Sequence, residues 1–298
     1  MDKTLLAVEA LTVKFGKFKA LDTVSFALQT DAGVVGLIGP NGAGKTTLIQ
    51  TILRQNRAQG KLMVNCKIAY CPDMPEFEKQ YTPVEVLAQA LYLNGAKFER
   101  QRVFSILKRV GLAQALDRPN GGFSRGMKQR LGIAVALVLD PEMIFLDEPT
   151  SALDPLGRKE ILTLIKEIAK EKVVVVSSHL LVDIQNIATH LLVLNEGHLL
   201  YQGKTKDFLA TYDRLAVLKL EANDLLRATQ YLAKAKIKVT VVKEEASLYF
   251  EKENLAKVMQ IVLAYQLKFY FCGVDDNGLE RAFENIVQHD QTKKQVSR

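Results

Sequence analysis

Short runs of apolar, mostly β-branched residues alternate with helical patterns over the first two thirds of the chain. Several runs, such as Val34–Ile38 and Val173–Ser177, are continuously apolar, which is typical of strands buried on both faces of a parallel sheet. The pattern therefore predicts an α/β unit. Its predicted strands are Leu5–Phe15, Val24–Leu28, Val34–Ile38, Lys67–Tyr70, Met143–Leu146, Val173–Ser177 and Leu191–Asn195.

Two further changes of pattern divide the chain. Between Thr82 and Asp140 apolar residues recur every three or four positions, which predicts an all-helical insertion. After Gly203 the order becomes β-α-β-β-α-β, as in a ferredoxin-like α+β unit. The predicted elements there are strand Leu215–Glu221, helix Asn223–Ala235, strands Ile237–Val242 and Ser247–Glu251, helix Asn254–Tyr265, strand Lys268–Val274 and helix Leu279–Gln288. We place the boundary near Asp207–Arg214, which gives predicted domains 1–210 and 211–298.

Composition narrows the class of protein. The chain has 298 residues, of which 48% are hydrophobic and 24% charged. This composition is close to the average of folded globular domains, which excludes a disordered or disulfide-scaffold protein. The longest apolar run, Leu131–Leu139, is far shorter than the ~20 residues of a membrane-spanning helix. No secretory signal is visible and the three cysteines lack paired spacing, so we expect a cytoplasmic protein with free thiols. The net charge of +7 comes from basic residues interleaved with acidic ones, and this mild excess could equally favour an anionic nucleotide or the anionic inner membrane surface. Charge alone decides nothing, although an excess this modest leaves no nucleic-acid partner expected.

A glycine-rich segment follows the predicted strand Val34–Ile38 directly. It reads Gly39-Pro40-Asn41-Gly42-Ala43-Gly44-Lys45-Thr46-Thr47. This fits the phosphate-loop pattern G-x-x-x-x-G-K-[ST] between a strand and a helix, where backbone N–H groups and the helix N-terminus surround phosphates. We expect Lys45 to contact the β- and γ-phosphates of ATP and Thr46 to bind Mg²⁺.

Three further polar residues follow buried strands. Asp147 and Glu148 come at the end of Met143–Leu146, which predicts Asp147 as a Mg²⁺ ligand and Glu148 as the base that polarises the attacking water. His179 follows Val173–Ser177 in the same way and can donate a hydrogen bond to the γ-phosphate. These residues predict an ATPase site at one edge of the sheet.

The ordered motifs resemble the ATP-binding subunits of ATP-binding cassette (ABC) transporters over nearly the whole chain. The most specific match resembles the family signature Leu-Ser-Gly-Gly-Gln and reads Phe123-Ser124-Arg125-Gly126-Met127-Lys128-Gln129-Arg130. The resemblance implies that Ser124 and Gly126 contact the γ-phosphate of an ATP bound by a second subunit. Ser124 is also predicted to cap a helix. The implied fold is a phosphate-loop ABC cassette with a mixed β core and helical insertion, followed by the small α+β unit.

Other positions match the family or depart from it. Ser151-Ala152-Leu153-Asp154 resembles the D-loop that crosses the subunit interface, and the matching position of Phe15 implies stacking on adenine. Asp73 stands where the family commonly has the glutamine of its Q-loop, and a carboxylate there is still a hard oxygen ligand for Mg²⁺. Arg125 and Met127 replace a glycine and the glutamine of the signature.

The Ser-x-Gly-Met form of the signature resembles a subgroup of exporters with separately encoded permeases. The sequence Leu279-Glu280-Arg281-Ala282-Phe283 resembles the helix that closes such subunits. The resemblance thus implies an ATPase that dimerises, with a second copy or with a related chain, around two ATPs with Mg²⁺ and powers a membrane permease from the inner face of the membrane. Two alternatives stay open: a soluble cassette ATPase acting on ribosomes or nucleic acid, and a cassette that binds ATP as a switch without hydrolysis. The small unit could serve as a dimer contact or sense a ligand.

Overall fold

The computed structural model describes residues 3–151, 153–212, 215–274 and 278–296. The chain divides into two compact units, Met1–Thr205 and Lys206–Arg298. Part of the predicted boundary region, residues 213 and 214, lies outside the described residues, as does Ala152 of the predicted D-loop.

The first unit alternates strands and helices. Its strands are β1 (Thr4–Phe15), β2 (Phe18–Gln29), β3 (Val34–Ile38), β4 (Gln59–Val64), β5 (Ile68–Cys71), β6 (Met143–Asp147), β7 (Val173–Ser178), β8 (His190–Asn195) and β9 (His198–Lys204). Its helices are α1 (Lys45–Ile52), α2 (Pro83–Leu93), α3 (Arg100–Arg109), α4 (Arg125–Val138), α5 (Pro155–Ile168) and α6 (Leu181–Ile187). Helix α7 (Thr205–Tyr212) follows at the division between the units.

A six-stranded sheet in the order β5-β6-β7-β3-β8-β9 forms the centre of this unit. All neighbouring strands in it are parallel except β8 and β9. Every residue of β3, β6 and β7 is buried, which explains their continuous apolar runs. Because β3, β5, β6 and β7 are parallel, the residues that follow them meet at one edge of the sheet.

A second, antiparallel sheet has the order β2-β1-β4 and packs its apolar side chains into the same core. The sequence predicted the strands outside the parallel part of the fold only incompletely. Strand β2 is much longer than the predicted Val24–Leu28, and β4 and β9 were not predicted. Strand β4 lies at a sheet edge with no fully buried residue, and β9 is only partly buried, so neither carries a strong apolar pattern.

The predicted helical insertion consists of α2, α3 and α4 with two short 3-10 turns. Thr82 and Glu85 form a reciprocal capping box at the start of α2: the Glu85 N–H donates to Thr82 Oγ1 (3.3 Å) and the Thr82 N–H to Glu85 Oε2 (2.8 Å). The insertion leaves the sheet after β5 and returns to it at β6. Arg125, the first residue of α4, contacts Asp73, which follows β5, so the start of α4 lies near the sheet edge that carries the predicted site.

The second unit has the predicted β-α-β-β-α-β order and a final helix. Its elements are β10 (Leu215–Leu220), α8 (Leu225–Lys234), β11 (Thr240–Val242), β12 (Ser247–Glu251), α9 (Leu255–Ala264), β13 (Phe269–Gly273) and α10 (Gly278–Val296). The sheet order is β11-β12-β10-β13, with antiparallel neighbours. The strand predicted from Ile237 begins only at Thr240, because the Ile237 N–H donates to the carbonyl oxygen of Leu232 at the end of α8 and is not available to the sheet. Within the described ranges, no helix is long and apolar enough to cross a membrane.

Candidate functional site

A pocket of about 470 Å³ lies at the edge where β3 and β6 end. Its lining residues are Phe15, Phe18, Ala20, Asn41, Gly42, Gly44, Lys45, Thr46, Thr47, Asp73, Asp147 and Glu148. The structure thus brings the predicted loop, the predicted acidic pair and two aromatic rings together around one cavity.

The glycine-rich loop, residues 39–47, joins β3 to α1. Gly44 has φ of +102°, and a Cβ atom there would lie 2.6 Å from the carbonyl oxygen of Ala20, so the position requires glycine. The side chain of Lys45 turns back into the loop, where its Nζ donates to the carbonyl oxygens of Gly39 (2.8 Å) and Pro40 (3.2 Å). Ala43, within the loop, is buried.

Lys45 is a buried cation. Burial lowers its pKa below the ordinary lysine value, and the neighbouring charges of Glu148 and Asp147 partly oppose that shift. An ammonium group has three donors, and two of them go to the loop carbonyls. Lys45 therefore brings positive charge and a remaining donor to the pocket.

Asp147 is the last residue of β6 and accepts hydrogen bonds at both carboxylate oxygens. Oδ1 accepts a short hydrogen bond from Ser177 Oγ, and Oδ2 accepts from Thr46 Oγ1 and Tyr70 OH, each at 3.4 Å. Burial, followed by the charge of Asp147, raises the pKa of Tyr70 to about 12, so its phenol stays protonated and can donate. No sequence pattern indicates Ser177 or Tyr70 as partners of Asp147.

Glu148 and His179 are in direct contact. His179 Nδ1 lies 2.7 Å from Glu148 Oε2, and the His179 N–H donates to the same oxygen at 3.4 Å. The Glu148 N–H points to Ser177, with its Oγ at 3.0 Å and its carbonyl oxygen at 3.1 Å. Glu148 has φ of +47°, a strained conformation for a residue with a side chain, and such strain is concentrated at functional sites.

The remaining predicted residues divide between two places. Asp73 lines the Lys45 pocket, but its Oδ1 accepts hydrogen bonds from Arg125 Nη2 (2.9 Å) and from Ser151 Oγ. Ser124 caps α4 as predicted by accepting the Met127 N–H (3.3 Å). Ser124 and Gly126 line a separate pocket of about 480 Å³.

Two phenylalanines stand at the tip of the β1–β2 hairpin. Phe15 and Phe18 are opposite each other in the strand register, and 54% and 65% of their surfaces are exposed. Of the two, only Phe15 was predicted as a ligand contact. The signal was available, since both aromatic residues flank the turn at Gly16 and Lys17.

Oxygen ligands suited to Mg²⁺ are adjacent in this pocket. Thr46 Oγ1 and Asp147 Oδ2 are 3.4 Å apart, whereas the third predicted ligand, Asp73, is paired elsewhere. No set of three or more His, Cys, Asp or Glu side chains in the described part of the chain is arranged as a metal site.

A glycine-rich loop between a parallel strand and a helix, with a buried lysine and an aspartate on the neighbouring strand, defines a phosphate-loop nucleotide-binding protein. Residues 21–151 match the model of a family described as ABC transporter. The chain is 35% identical to YxlF of Bacillus subtilis (strain 168), an uncharacterized ABC transporter ATP-binding protein, over 68% of this chain and 72% of that protein. It is 34% identical to the bacitracin transport ATP-binding protein BcrA of Bacillus licheniformis, over 66% of this chain and 69% of that protein.

A solved structure gives the same result. The chain aligns with cbiO1 from Clostridium perfringens, described as part of the ABC transporter complex cbiONQ, with a TM-score of 0.63 and 25% identity. The alignment covers 78% of this chain and 97% of that one. The chain belongs to the family of ABC transporter ATP-binding subunits, and its first unit has the ABC ATPase fold.

Proposed function

We propose that the chain hydrolyses ATP as a dimer and so powers a separate membrane permease. The observation that carries this proposal is the contact between Glu148 and His179 beside the Lys45 pocket. A protein that only bound ATP would need the loop and Lys45, but not a carboxylate held by a histidine at the phosphate end of the pocket.

The pocket residues suit ATP and Mg²⁺. The loop N–H groups and the free donor of Lys45 would bind the phosphates, and Thr46 Oγ1 and Asp147 Oδ2 would hold the metal ion. When bound, Mg²⁺ would neutralise charge on the phosphate oxygens. Ser177 and Tyr70 keep Asp147 oriented, because each donates a hydrogen bond to one of its oxygens.

Glu148 is the general base of the proposed reaction. Its carboxylate accepts the proton of a water molecule as that water attacks the γ-phosphorus in line with the leaving β-phosphate oxygen. His179 holds Glu148 in place through the 2.7 Å contact between its Nδ1 and Oε2, and its Nε2 would donate to the γ-phosphate when both ring nitrogens carry a proton.

A second copy of the chain completes the site in this proposal. Ser124 and Gly126 line a pocket other than the one that contains Lys45, so one chain does not place them on its own nucleotide. Two chains related by a twofold axis could each present the N-terminus of α4 to the ATP of the other. Both ATPs would then lie between subunits.

Transport would need a membrane partner from another chain. The resemblance of the Ser-x-Gly-Met signature and of residues 279–283 to exporter subunits supports export, and one relative is named for bacitracin transport. A drug, a peptide or a similar substrate is therefore the proposed cargo, which the permease would recognise.

The test is steady-state ATP hydrolysis by the purified chain as a function of its own concentration. The proposal expects the rate per subunit to rise with concentration and then saturate, because the active site needs two chains. A rate per subunit that is constant down to concentrations where sizing shows a monomer would contradict the composite site. ATP binding without hydrolysis, even with the permease present, would favour the non-hydrolysing switch.

Phe18→Ala is expected to weaken ATP binding about 5- to 150-fold, because stacking of a base on an aromatic ring contributes about 1–3 kcal/mol. The measurement is the Kd for ATP by calorimetry, compared with that for inorganic tripolyphosphate. Tripolyphosphate has no base, so its Kd should stay unchanged.

The matched control for this variant is Phe98→Ala, which removes another exposed phenylalanine outside the pocket lining. An equal loss of affinity for ATP and tripolyphosphate in Phe18→Ala would mean that Phe18 supports the loop and does not contact the base.

A further inference from the structure

Three segments of the first unit meet at Asp73, Arg125 and Ser151, which we call the Asp73 cluster. Arg125 Nη2 donates to Asp73 Oδ1 (2.9 Å) and to Ser151 Oγ (2.8 Å), and the Ser151 hydroxyl donates to the same Asp73 oxygen. Each member therefore contacts both of the others. Asp73 follows β5, Arg125 is the first residue of α4, and Ser151 comes shortly after β6.

The cluster is connected to functional residues on two sides. The Ser151 N–H donates to the carbonyl oxygen of Glu148 (3.0 Å), so Ser151 closes the turn that begins at the proposed base. Arg125 stands between Ser124, which caps α4, and Gly126 in its first turn, the two residues proposed to face the second ATP. A displacement of Arg125 would therefore shift both the turn that begins at Glu148 and the start of α4.

Charge explains why the three residues occur together. Asp73 lines the same pocket as Asp147 and Glu148, and a third unpaired carboxylate there would repel the phosphates of ATP. Arg125 supplies the opposite charge at hydrogen-bond distance. The two departures from the family pattern, an acid at position 73 and a base at position 125, thus neutralise each other in this chain.

We propose that Asp73 and Arg125, with Ser151, form a charge-paired clamp that fixes the start of α4 against the Glu148 turn. In this role Asp73 and Arg125 are positioning residues, and Asp73 is not a Mg²⁺ ligand as the sequence predicted. The kinetic consequences of the clamp rest on the proposed ATPase function, whereas its structural consequences do not.

The kinetic test compares Arg125→Gln, Asp73→Asn and the double variant. Arg125→Gln leaves Asp73 unpaired in the pocket, and we expect kcat to fall about tenfold. Adding Asp73→Asn removes the unpaired charge and should return kcat to within about threefold of the native value. If Arg125 acted independently of Asp73, the second substitution would not rescue the first.

The Mg²⁺ dependence of hydrolysis distinguishes the clamp from the other possible role of Asp73, that of a Mg²⁺ ligand. Asp73→Asn should leave the Mg²⁺ concentration for half-maximal hydrolysis unchanged, while Asp147→Asn should raise it. Arg109→Gln is the matched control, because it removes another arginine ion pair, between the partly exposed Arg109 and Glu171, outside the pocket that contains Lys45. A double variant whose loss equals the product of the single losses, or a shifted Mg²⁺ requirement in Asp73→Asn, would overturn the proposal.

Amide hydrogen exchange tests the clamp without hydrolysis. Asp73→Ala should speed exchange at least about threefold both at Met127 and Lys128, near the start of α4, and at Ser151, next to the Glu148 turn. Unchanged exchange at these amides would overturn the clamp. If the native chain binds ATP but never hydrolyses it, the ATPase proposal fails while this measurement still decides the clamp.

Discussion

Glu148→Gln is expected to lower kcat for ATP hydrolysis by about 10²–10⁴, the range that a positioned general base contributes. Glutamine has almost the same shape as glutamate and can keep the contact with His179, but it does not accept a proton from water at neutral pH. Binding of ATP uses the loop and Lys45, so the Kd for ATP should change less than about twofold. The measurements are single-turnover hydrolysis and calorimetric binding on the same preparation.

The same substitution also reports on the proposed dimer. If ATP is bound between two chains and is not hydrolysed, the variant should elute as a dimer in ATP and as a smaller species without it. Glu167→Gln is the control, because that carboxylate lies on the exposed side of α5 outside the pocket. Native hydrolysis rates in Glu148→Gln would remove Glu148 as the base.

The central sheet and the loop were predictable because their constraints are local. A strand buried on both faces needs continuous apolar residues, which a sequence shows directly. A phosphate loop is also recognised from sequence, by a strand followed by a glycine-rich segment, Lys-Thr and a helix. The structure confirms β3, β6 and β7 within one residue of the predictions, and their parallel pairing explains why residues after separate strands share one pocket.

Partners across long sequence distances were not predictable in the same way. Ser177 donates to Asp147 from the neighbouring strand, and Arg125 reaches Asp73 across 52 residues. No pattern within either segment indicates its partner. The sequence showed an acid and a base at two unusual positions, but only the fold brings them within hydrogen-bond distance.

The edge strand β4 was not predicted for a different reason. Residues Gln59–Val64 of β4 are mostly exposed, so the hydrophobic pattern that identifies a buried strand is absent. What forms β4 is its antiparallel register with β1, where Leu6 pairs with Val64 and Glu9 with Lys61. In the second unit the prediction placed a strand too early. The apolar side chain of Ile237 indicated a strand, but it packs in the core before the strand begins at Thr240.

Lys45→Met is expected to raise the Kd for ATP about 10- to 100-fold, since a hydrogen bond to a charged group contributes about 1.5–3 kcal/mol. Methionine keeps much of the apolar length of the lysine side chain and removes only the ammonium group. Arginine would keep the charge, but its planar fork does not reproduce the point-like ammonium that donates to Gly39 and Pro40. Lys45→Arg should therefore also bind ATP more weakly than the native chain.

Although Lys45→Met should weaken ATP binding, it should not lower the thermal stability of the chain without ATP. Because burial lowers the pKa of Lys45, the protonated side chain is less favourable in the folded chain than in the unfolded chain, and its charge costs stability at neutral pH. That cost diminishes as the pH rises through the lowered pKa of the folded chain. Without ATP, Lys45→Met should consequently melt no lower than the native protein, while the rise in Tm that ATP gives the native chain should be lost.

The control for both measurements is Lys159→Met, which removes an exposed lysine of α5 and should keep the ATP-dependent rise in Tm. A Lys45→Met protein that melts well below the native chain without ATP would show that the ammonium supports the fold through the loop carbonyls. A native-like Tm with full ATP stabilisation would show that Lys45 does not contact the phosphates. The expected combination, retained stability with lost ATP response, would mean that the chain carries a buried charge at a cost to its own stability because that charge binds nucleotide.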